Sequence, residues 1–230
     1  MKKRAKRGFR IFLLLFVAII IFSVIVVLLC AYVFKISVKQ IIVHDNKLIP
    51  DENIIELSKL NEDSNFLLTT KTGARKNIKK DELVKKVKVK KNLSFEIHLF
   101  VEEEKPILYR EDNKKLVLNN EKEIEKKDYY KLNVPSLVNY VPDKVYKKLI
   151  KKMDEADYEI IGKISDIKYY PNNYDDERFV LYMVDSNIVY INLPKFKSIN
   201  KYDDMVEKFE GKTGKLYLDS GNYFEYNKKK

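Results

Sequence analysis

Residues 11–34 read IFLLLFVAIIIFSVIVVLLCAYVF, an unbroken run of 24 residues without a charge. As an α-helix this run is roughly 36 Å long at about 1.5 Å per residue, which exceeds the roughly 30 Å of a hydrocarbon core. Residues 1–10 contain six basic side chains and no acidic one. The sequence therefore predicts a basic cytoplasmic tail at 1–10 and a transmembrane helix over 11–34, with the rest of the chain outside the cytoplasm.

A cleaved signal peptide is the competing interpretation of this segment. Signal peptides have an apolar region of about 7–15 residues that ends at a small-residue cleavage site. The run here is longer, and its nearest small residues, Cys30 and Ala31, lie inside it. An uncleaved anchor is therefore the favoured interpretation.

The composition excludes several kinds of site. The 230 residues include one Cys and two His, so an intrachain disulfide and a zinc site of Cys and His ligands are not expected. The six glycines are few for phosphate-binding loops, and no GxSxG, HExxH, Walker or dinucleotide motif occurs. We expect His44 and His98 each to be a solvated histidine and Glu102–Glu104 to be a solvated strand end. The sequence predicts no catalytic, cofactor or metal site, and a binding protein rather than an enzyme.

The charge outside the tail is mildly basic. Of the 45 Lys and Arg residues, six lie in residues 1–10, which leaves 39 against 34 acidic residues and a net charge of +5. This balance suits an anionic wall polymer or phospholipid headgroups, while interleaved charges are also typical of an ordinary solvated surface. Nucleic acid is not an expected partner, because the compartment is wrong and the acids are interleaved.

The segment that follows the predicted transmembrane helix carries strand and helix patterns in the order β-α-α-β-β. Residues 36–43 are rich in β-branched residues, Asp45-Asn46 favours a turn, and helical spacing follows Pro50. Two strands with period-2 alternation end the segment, and these carry the following apolar residues: Val87, Val89, Phe95, Ile97, Leu99 and Val101. The pattern predicts an α+β module with helices on a three-stranded sheet.

A new series of short strands begins after Pro106. Hairpin signals flank Asn119-Asn120 and Asp185-Ser186-Asn187, and helical stripes occur at 145–153 and 202–209. Strands are further expected at 164–169, 216–218 and 223–226. The second module is therefore predicted to be a mostly antiparallel β domain with two helices.

Aromatic residues concentrate at the end of the chain, at Tyr217, Tyr223, Phe224 and Tyr226. One interpretation is ordinary packing of a last strand. The other is an exposed edge with aromatic anchors, which is suited to strand addition by a partner. The sequence leaves both open.

The layout resembles the FtsQ/DivIB family of bacterial cell-division proteins. The resemblance rests on an opening strand and turn, Val38-x-x-Ile41-x-Val43-x-Asp45-Asn46, on the passage from Leu83 to Glu104-Lys105-Pro106, and on Leu218-Asp219-Ser220-Gly221. The family often has Gly where Asp45 stands, and Asp tolerates the same left-handed backbone. The resemblance implies a POTRA domain at 35–105, a β domain at 106–226 and a basic C-terminal tail at 227–230.

The resemblance also implies a function. It implies a non-enzymatic scaffold of the divisome in the plasma membrane at the septum, which binds FtsB/DivIC-like and FtsL-like bitopic proteins. In the family the last β strand and the residues after it receive a partner segment, which carries over to Leu218, Ser220, Gly221 and Tyr226. With the aromatic cluster, the predicted partner-binding residues are Leu218, Ser220, Gly221, Tyr223, Phe224 and Tyr226. The alternatives are a signal-anchored enzyme acting on the cell wall and an outer-membrane assembly component, for which 107–226 is short.

Overall fold

A computed structural model describes residues 2–227, with side chains described from residue 12 onward. Met1 and residues 228–230 lie outside the described residues, and with them most of the basic tail predicted at 227–230. The first element, α1 (Lys2–Lys35), is a helix whose stretch Phe12–Lys35 is long and apolar enough to cross a membrane. No residue in the most apolar part of this stretch is buried within the protein. The expected N-terminal apolar helix is confirmed.

The chain divides into two compact units. The first comprises residues up to Asp45, 51–81 and 86–101, and the second comprises 46–50, 82–85 and the residues from 102 onward. The limits that the sequence suggests for two domains, 35–105 and 106–226, stay predictions.

A three-stranded sheet follows α1. The elements are β1 (Gln40–His44), α2 (Asp51–Ser58), α3 (Lys71–Ile78), β2 (Val84–Lys91) and β3 (Glu96–Glu103). The strand order is β1-β3-β2, and β1 is parallel to β3. The alternating apolar residues of β2 and β3 are buried, as period-2 patterning requires. The β-α-α-β-β order expected from the sequence is confirmed.

The first strand begins later than expected. Residues 36–43 were expected to be a strand, but β1 starts at Gln40. The backbone before it bonds elsewhere: the N–H of Val38 donates to the carbonyl of Ser64 at 2.9 Å, and Ile36 accepts from the N–H of Phe66 at 2.8 Å. Asp45, which follows β1, has a φ of 69°. The expected left-handed backbone at the position where the family often has Gly is confirmed.

The second sheet has nine strands. They are β4 (Pro106–Arg110), β5 (Lys115–Leu118), β6 (Glu123–Glu125), β7 (Ser136–Leu137), β8 (Ile164–Tyr169), β9 (Arg178–Met183), β10 (Ile188–Asn192), β11 (Gly214–Tyr217) and β12 (Tyr223–Tyr226). Their order is β12-β11-β10-β9-β8-β7-β4-β5-β6. The pairs β4–β7, β7–β8 and β10–β11 are parallel and the other five are antiparallel. The prediction of a mostly antiparallel β domain is confirmed.

Helices accompany this sheet. They are α4 (Asp143–Asp154), α5 (Tyr158–Ile161) and α6 (Tyr202–Val206), with 3-10 helices at Leu193–Lys201 and Glu207–Phe209. The helical stripe expected over 202–209 is therefore an α-helix only for its first five residues. Glu210 and Gly211 both have positive φ, at 51° and 74°, which ends the helix in a tight turn. Phe209 still points into the core with Leu149, Phe179 and Phe196.

The two histidines are not solvated side chains, so the expectation for each of them is wrong. His44 Nε2 and His98 Nδ1 lie 3.0 Å apart, and both side chains are half-buried. The His44 ring also stacks on Phe100, with 4.6 Å between the ring centroids. Parallel pairing of β1 with β3 places the two rings side by side, which the separate sequence positions could not reveal.

The acidic run Glu102–Glu104 is not simply a solvated strand end. The Glu103 carboxylate accepts from three successive backbone N–H groups, those of Lys47, Leu48 and Ile49, at 2.8, 2.9 and 2.7 Å. The carboxylate therefore stabilises a turn distant in sequence, because each of those N–H groups gains a charged acceptor.

Candidate partner-docking edge

The last strand forms one end of the nine-stranded sheet. β12 pairs antiparallel with β11, with Gly214 opposite Tyr226 and Tyr217 opposite Tyr223. On its other side, β12 has no neighbouring strand among the described residues. An edge of this kind presents backbone donors and acceptors to any extended chain that reaches it.

The hydrogen bonding of the strand identifies the outward residues. The N–H of Asn227 donates to the carbonyl of Thr213 at 3.1 Å, so the backbone of residue 227 faces β11. In an antiparallel ladder, successive residues direct their N–H and C=O groups to opposite sides. The backbone of Tyr223 and Glu225 therefore faces β11, and that of Phe224 and Tyr226 faces outward.

One face of the edge is a row of stacked tyrosines. The ring centroids of Tyr190 and Tyr217 are 4.7 Å apart, and those of Tyr217 and Tyr223 are 4.5 Å apart. The Tyr217 hydroxyl donates to Glu225 at 3.1 Å, and burial together with this hydrogen bond raises the pKa of Tyr217 to about 12. Tyr223, the outermost ring, is 52% exposed. The row therefore ends in an aromatic surface that a partner can extend.

The other face of the edge borders a groove. Phe224 stacks on Phe209 with 3.6 Å between centroids, and Tyr226 meets the edge of Phe224 at 4.9 Å. The Lys212 ammonium lies 5.3 Å from the Tyr226 ring centroid. Beside Phe224 a groove of about 510 Å³ lies against α6, and both apolar residues, such as Met205, and charged residues line it. An apolar side chain next to the edge strand has room there.

Gly214 allows the edge strand to pair closely. A Cβ atom at this position would lie 2.2 Å from the carbonyl oxygen of Glu225 and 2.8 Å from the Phe224 ring. The N–H of Gly214 donates to the side chain of Asn187 at 2.9 Å. The absence of a side chain at Gly214 thus permits the close approach of β12, and any other residue there separates β12 from β11.

The segment before β12 is fixed by charged contacts. Arg178 Nε donates to the carboxylate of Asp219 at 2.5 Å, and Lys195 Nζ donates to the carbonyl of Asp219 at 2.8 Å. Ser220 is exposed and donates to the Asp219 carboxylate at 2.9 Å. Gly221 is exposed with a φ of 143°, a conformation that favours glycine.

The predicted site residues fall into three environments. Tyr223, Phe224 and Tyr226 share β12, and Ser220 and Gly221 share the exposed turn before it. The side chain of Leu218 is fully buried in the core of the second unit. A partner cannot reach this side chain while the unit is folded, so Leu218 supports the edge from beneath.

Sequence reasoning missed several residues that build this edge. They are Tyr190 in β10, Phe209 in a 3-10 helix, Lys212 in the loop that follows it, and Gly214 at the start of β11. The alternation of Tyr217 with Leu216 and Leu218 was a signal for the tyrosine face, but nothing local to Tyr190 or Phe209 indicates their partners. Among the described residues, no group of three or more His, Cys, Asp or Glu side chains could hold a metal ion.

The sequence is similar to a known domain family and to known proteins. A family model described as POTRA domain, FtsQ-type, matches residues 36–104. Cell division protein DivIB of Bacillus subtilis (strain 168) is 30% identical over 229 residues, covering 97% of this chain and 85% of that protein. Cell division protein DivIB of Bacillus cytotoxicus is 29% identical over 196 residues, covering 83% of this chain and 76% of that protein.

A solved structure is also similar to part of the chain. It is the major extracytoplasmic domain of the trans isomer of the cell division protein DivIB from Geobacillus stearothermophilus. The sequence identity is 22% and the TM-score is 0.37, with 44% of this chain and 88% of that chain covered.

Proposed function

The chain belongs to the DivIB family of cell division proteins, and from this premise we propose that it is a non-enzymatic scaffold of the division machinery. In this proposal α1 anchors the protein once in the plasma membrane, the N-terminus is cytoplasmic, and both compact units act outside the cytoplasm at the septum. The support is the apolar, unburied stretch Phe12–Lys35 behind six basic residues. If protease added outside intact spheroplasts leaves residues 35–230 uncut while a control exported domain is digested, this topology is wrong.

The proposed activity is the docking of an extended segment from an FtsB/DivIC-like partner along β12, in a complex that also contains an FtsL-like protein. The observation that carries the proposal is that β12 has no strand on its outer side in the described part of the chain, and that the backbone of Phe224 and Tyr226 faces that side. Strand addition takes affinity from main-chain hydrogen bonds and specificity from alternate side-chain pockets. The stacked row ending in Tyr223 and the groove beside Phe224 provide one such contact on each face.

The backbone alternation supplies a test. Tyr226→Pro removes an outward N–H, which an edge strand tolerates, while Glu225→Pro removes an N–H that faces β11. We expect Tyr226→Pro to weaken binding of the partner's extracytoplasmic segment by about tenfold or more with little change in melting temperature. Binding to the full chain in lipid nanodiscs, measured by interferometry, gives the affinity.

The matched variant separates docking from folding. Glu225→Pro should lower the melting temperature, because it breaks the β11–β12 ladder. If Tyr226→Pro binds the partner with the parent's affinity, strand addition at this edge is wrong even where the family role in division holds.

The alternative of a wall-acting enzyme has a direct assay. We expect no turnover of purified peptidoglycan by the full chain. Turnover that is abolished by a substitution at His44 or His98, the histidines that lie 3.0 Å apart, would contradict the scaffold proposal.

A further inference from the structure

Large apolar side chains are exposed at only two places in residues 36–101, all of which the structure describes. Leu67 and Leu68 are 49% and 57% exposed in the loop between α2 and α3. Leu93 and Phe95 are 99% and 42% exposed in the turn between β2 and β3. Four such side chains confined to two loops need a physical explanation, since exposed apolar clusters mark interaction sites.

The strand pairing places both loops at the end of the sheet where α1 arrives. α1 ends at Lys35 and β1 begins at Gln40, so at most about 17 Å of extended chain separates them. Gln40 pairs in parallel with Glu96, so β3 begins at that same end. The turn holding Leu93 and Phe95 immediately precedes β3.

Hydrogen bonds tie the other loop to the end of α1 itself. Asn65 Nδ2 donates to the carbonyl of Val33 in the last turn of α1 at 2.8 Å, and the N–H of Phe66 donates to the carbonyl of Ile36 at 2.8 Å. The Phe66 ring meets the edge of Phe95, with 5.4 Å between centroids, which joins the two loops. All four exposed side chains therefore lie close to the level of Lys35.

The loop is held so that its leucines stay exposed. Asn65 Oδ1 accepts from the N–H of Leu68 at 2.8 Å, and its backbone carbonyl accepts from Thr69 at 3.0 Å. The Lys91 ammonium donates to the carbonyls of Phe66 and Thr69 and lies 4.7 Å from the Phe66 ring centroid. Burial, with the nearby Lys71, lowers the pKa of Lys91. A loop fixed by five contacts does not fold its apolar residues inward.

We propose that Leu67, Leu68, Leu93 and Phe95 form a lipid-facing rim that inserts into the interface of the bilayer crossed by α1. This proposal rests on the proposed membrane anchoring. The occupant is the bilayer because the loop is bonded to the backbone of the last turn of α1, where a spanning helix leaves the hydrocarbon. Lys35 and Lys71 add positive charge that suits anionic headgroups, and Tyr32 and Phe34 are the aromatic side chains expected at that level.

The rim fixes the first unit against the membrane surface. Apolar side chains at an interface bury their tips about 5–10 Å into the boundary between headgroups and acyl chains. With α1 they provide separate attachment points in one plane, so the first unit has a defined tilt instead of swinging on residues 36–39. The rim and α1 then together determine the height of the first unit above the bilayer.

Quenching by brominated lipid tests the rim in the full chain. A variant with Cys30→Ser and Leu93→Cys carries an environment-sensitive fluorophore and is reconstituted in vesicles of phosphatidylcholine and phosphatidylglycerol with or without brominated acyl chains. Lys80→Cys in the same background is the matched control, because Lys80 is exposed and precedes β2 at the opposite end of the sheet. We expect brominated lipid to reduce emission from position 93 by about twofold or more and to leave position 80 unchanged.

The native Cys30 separates the two proposals. Labelled in the parent protein, Cys30 reports on α1 alone, since it lies within Phe12–Lys35. Leu68→Cys provides a second probe of the rim. Quenching at Cys30, together with no quenching at position 93 and none at position 68, overturns the rim and leaves the anchor intact. No quenching at Cys30 overturns both proposals. Quenching at 30, 68 and 93 but not at 80 is the result that supports the rim.

Discussion

The two edges of the nine-stranded sheet are opposite in chemistry. β6 places Glu123 and Glu125 on either side of the buried Ile124, and Glu123 accepts from Arg110 at 2.6 Å. In β12 three of the four residues are aromatic, and Tyr223 and Tyr226 are 52% and 50% exposed. Charged side chains on an edge oppose pairing with another chain, whereas a mainly aromatic edge, in which Glu225 is the one charged residue of β12, opposes it less. One sheet therefore has one protected edge and one open edge.

The difference supports the choice of β12 as the proposed docking edge. β2, an outer strand of the smaller sheet, also presents a row of lysines to solvent. Since charged residues predominate at β6 and at β2, the mainly aromatic composition of β12 is a property of that strand and not of the whole protein. The predictions below test whether docking belongs to β12 itself, and whether the charged network at β6 serves only the fold.

The largest effect is expected for Leu218→Ala, which tests the core beneath the open edge. Because this side chain is fully buried, the substitution should lower the free energy of unfolding by about 2–5 kcal/mol. Urea unfolding of the full chain measures this, with Ser220→Ala as an exposed control expected to change it by less than about 0.5 kcal/mol. A loss of partner affinity in folded protein without a loss of stability would show that Leu218 contacts the partner.

Tyr226→Ala tests the open edge directly. Half of this side chain is exposed and its ring caps Phe224, so it should act as an anchor for the partner. We expect the affinity for the partner segment to fall by about 2 kcal/mol, roughly 30-fold, with only a small shift in melting temperature. Glu125→Ala on β6 is the matched control and should bind like the parent. Equal losses at both positions would mean that the two edges do not differ in function.

The periodicity of apolar residues and the positions of turn-forming residues were sufficient to predict most helices and strands from the sequence. Alternation identified β2 and β3, helical spacing identified α4, and turn residues identified the hairpin of β9 and β10. The turn residues Asp45-Asn46 also indicated the end of β1, and the chain bends there. These features depend on neighbours in sequence, which is why single-sequence reasoning finds them.

The rest depends on which strands become neighbours. The stacking of Tyr190 on Tyr217 requires parallel pairing of β10 with β11, and nothing in either segment specifies it. The same holds for the His44 and His98 pair. The burial of Leu218, next to exposed Ser220, depends on the core that β11 closes. Resemblance to a family indicated the end of the chain that we propose for docking, but not which side chains there are accessible.

A smaller effect is expected for Glu123→Gln at the protected edge. The amide keeps a hydrogen-bonding oxygen but loses the charge opposite Arg110, whose side chain is 24% exposed and is also bonded to Asp112. We expect the free energy of unfolding to fall by about 1 kcal/mol, because Arg110 retains one carboxylate. Partner affinity should stay at the parent value. A loss of affinity here would place part of the docking surface at β6.

The smallest effect concerns the acid dependence of the same network. The Arg110 guanidinium, by hydrogen bonding to Asp112, lowers the pKa of that carboxyl below its ordinary value near 4. Between the folded and unfolded pKa values the unfolded chain binds more protons, so stability rises with pH across that interval. The contribution of Asp112 is therefore complete above about pH 4 and disappears as the pH falls through the folded pKa.

Asp112→Asn isolates this contribution. The melting temperatures of variant and parent should differ by a constant amount from pH 5 to 7 and converge as the pH falls below about 4, which a thermal scan at each pH measures. Partner affinity between pH 5 and 7 should not change, because Asp112 is not part of the β12 edge and the pKa of Tyr217 in that edge is raised to about 12. A difference in melting temperature that persists at the acid end would show that Asp112 stabilises the turn through its shape, not its charge. The two edges would then differ in which side chains they carry but not in their dependence on ionisation.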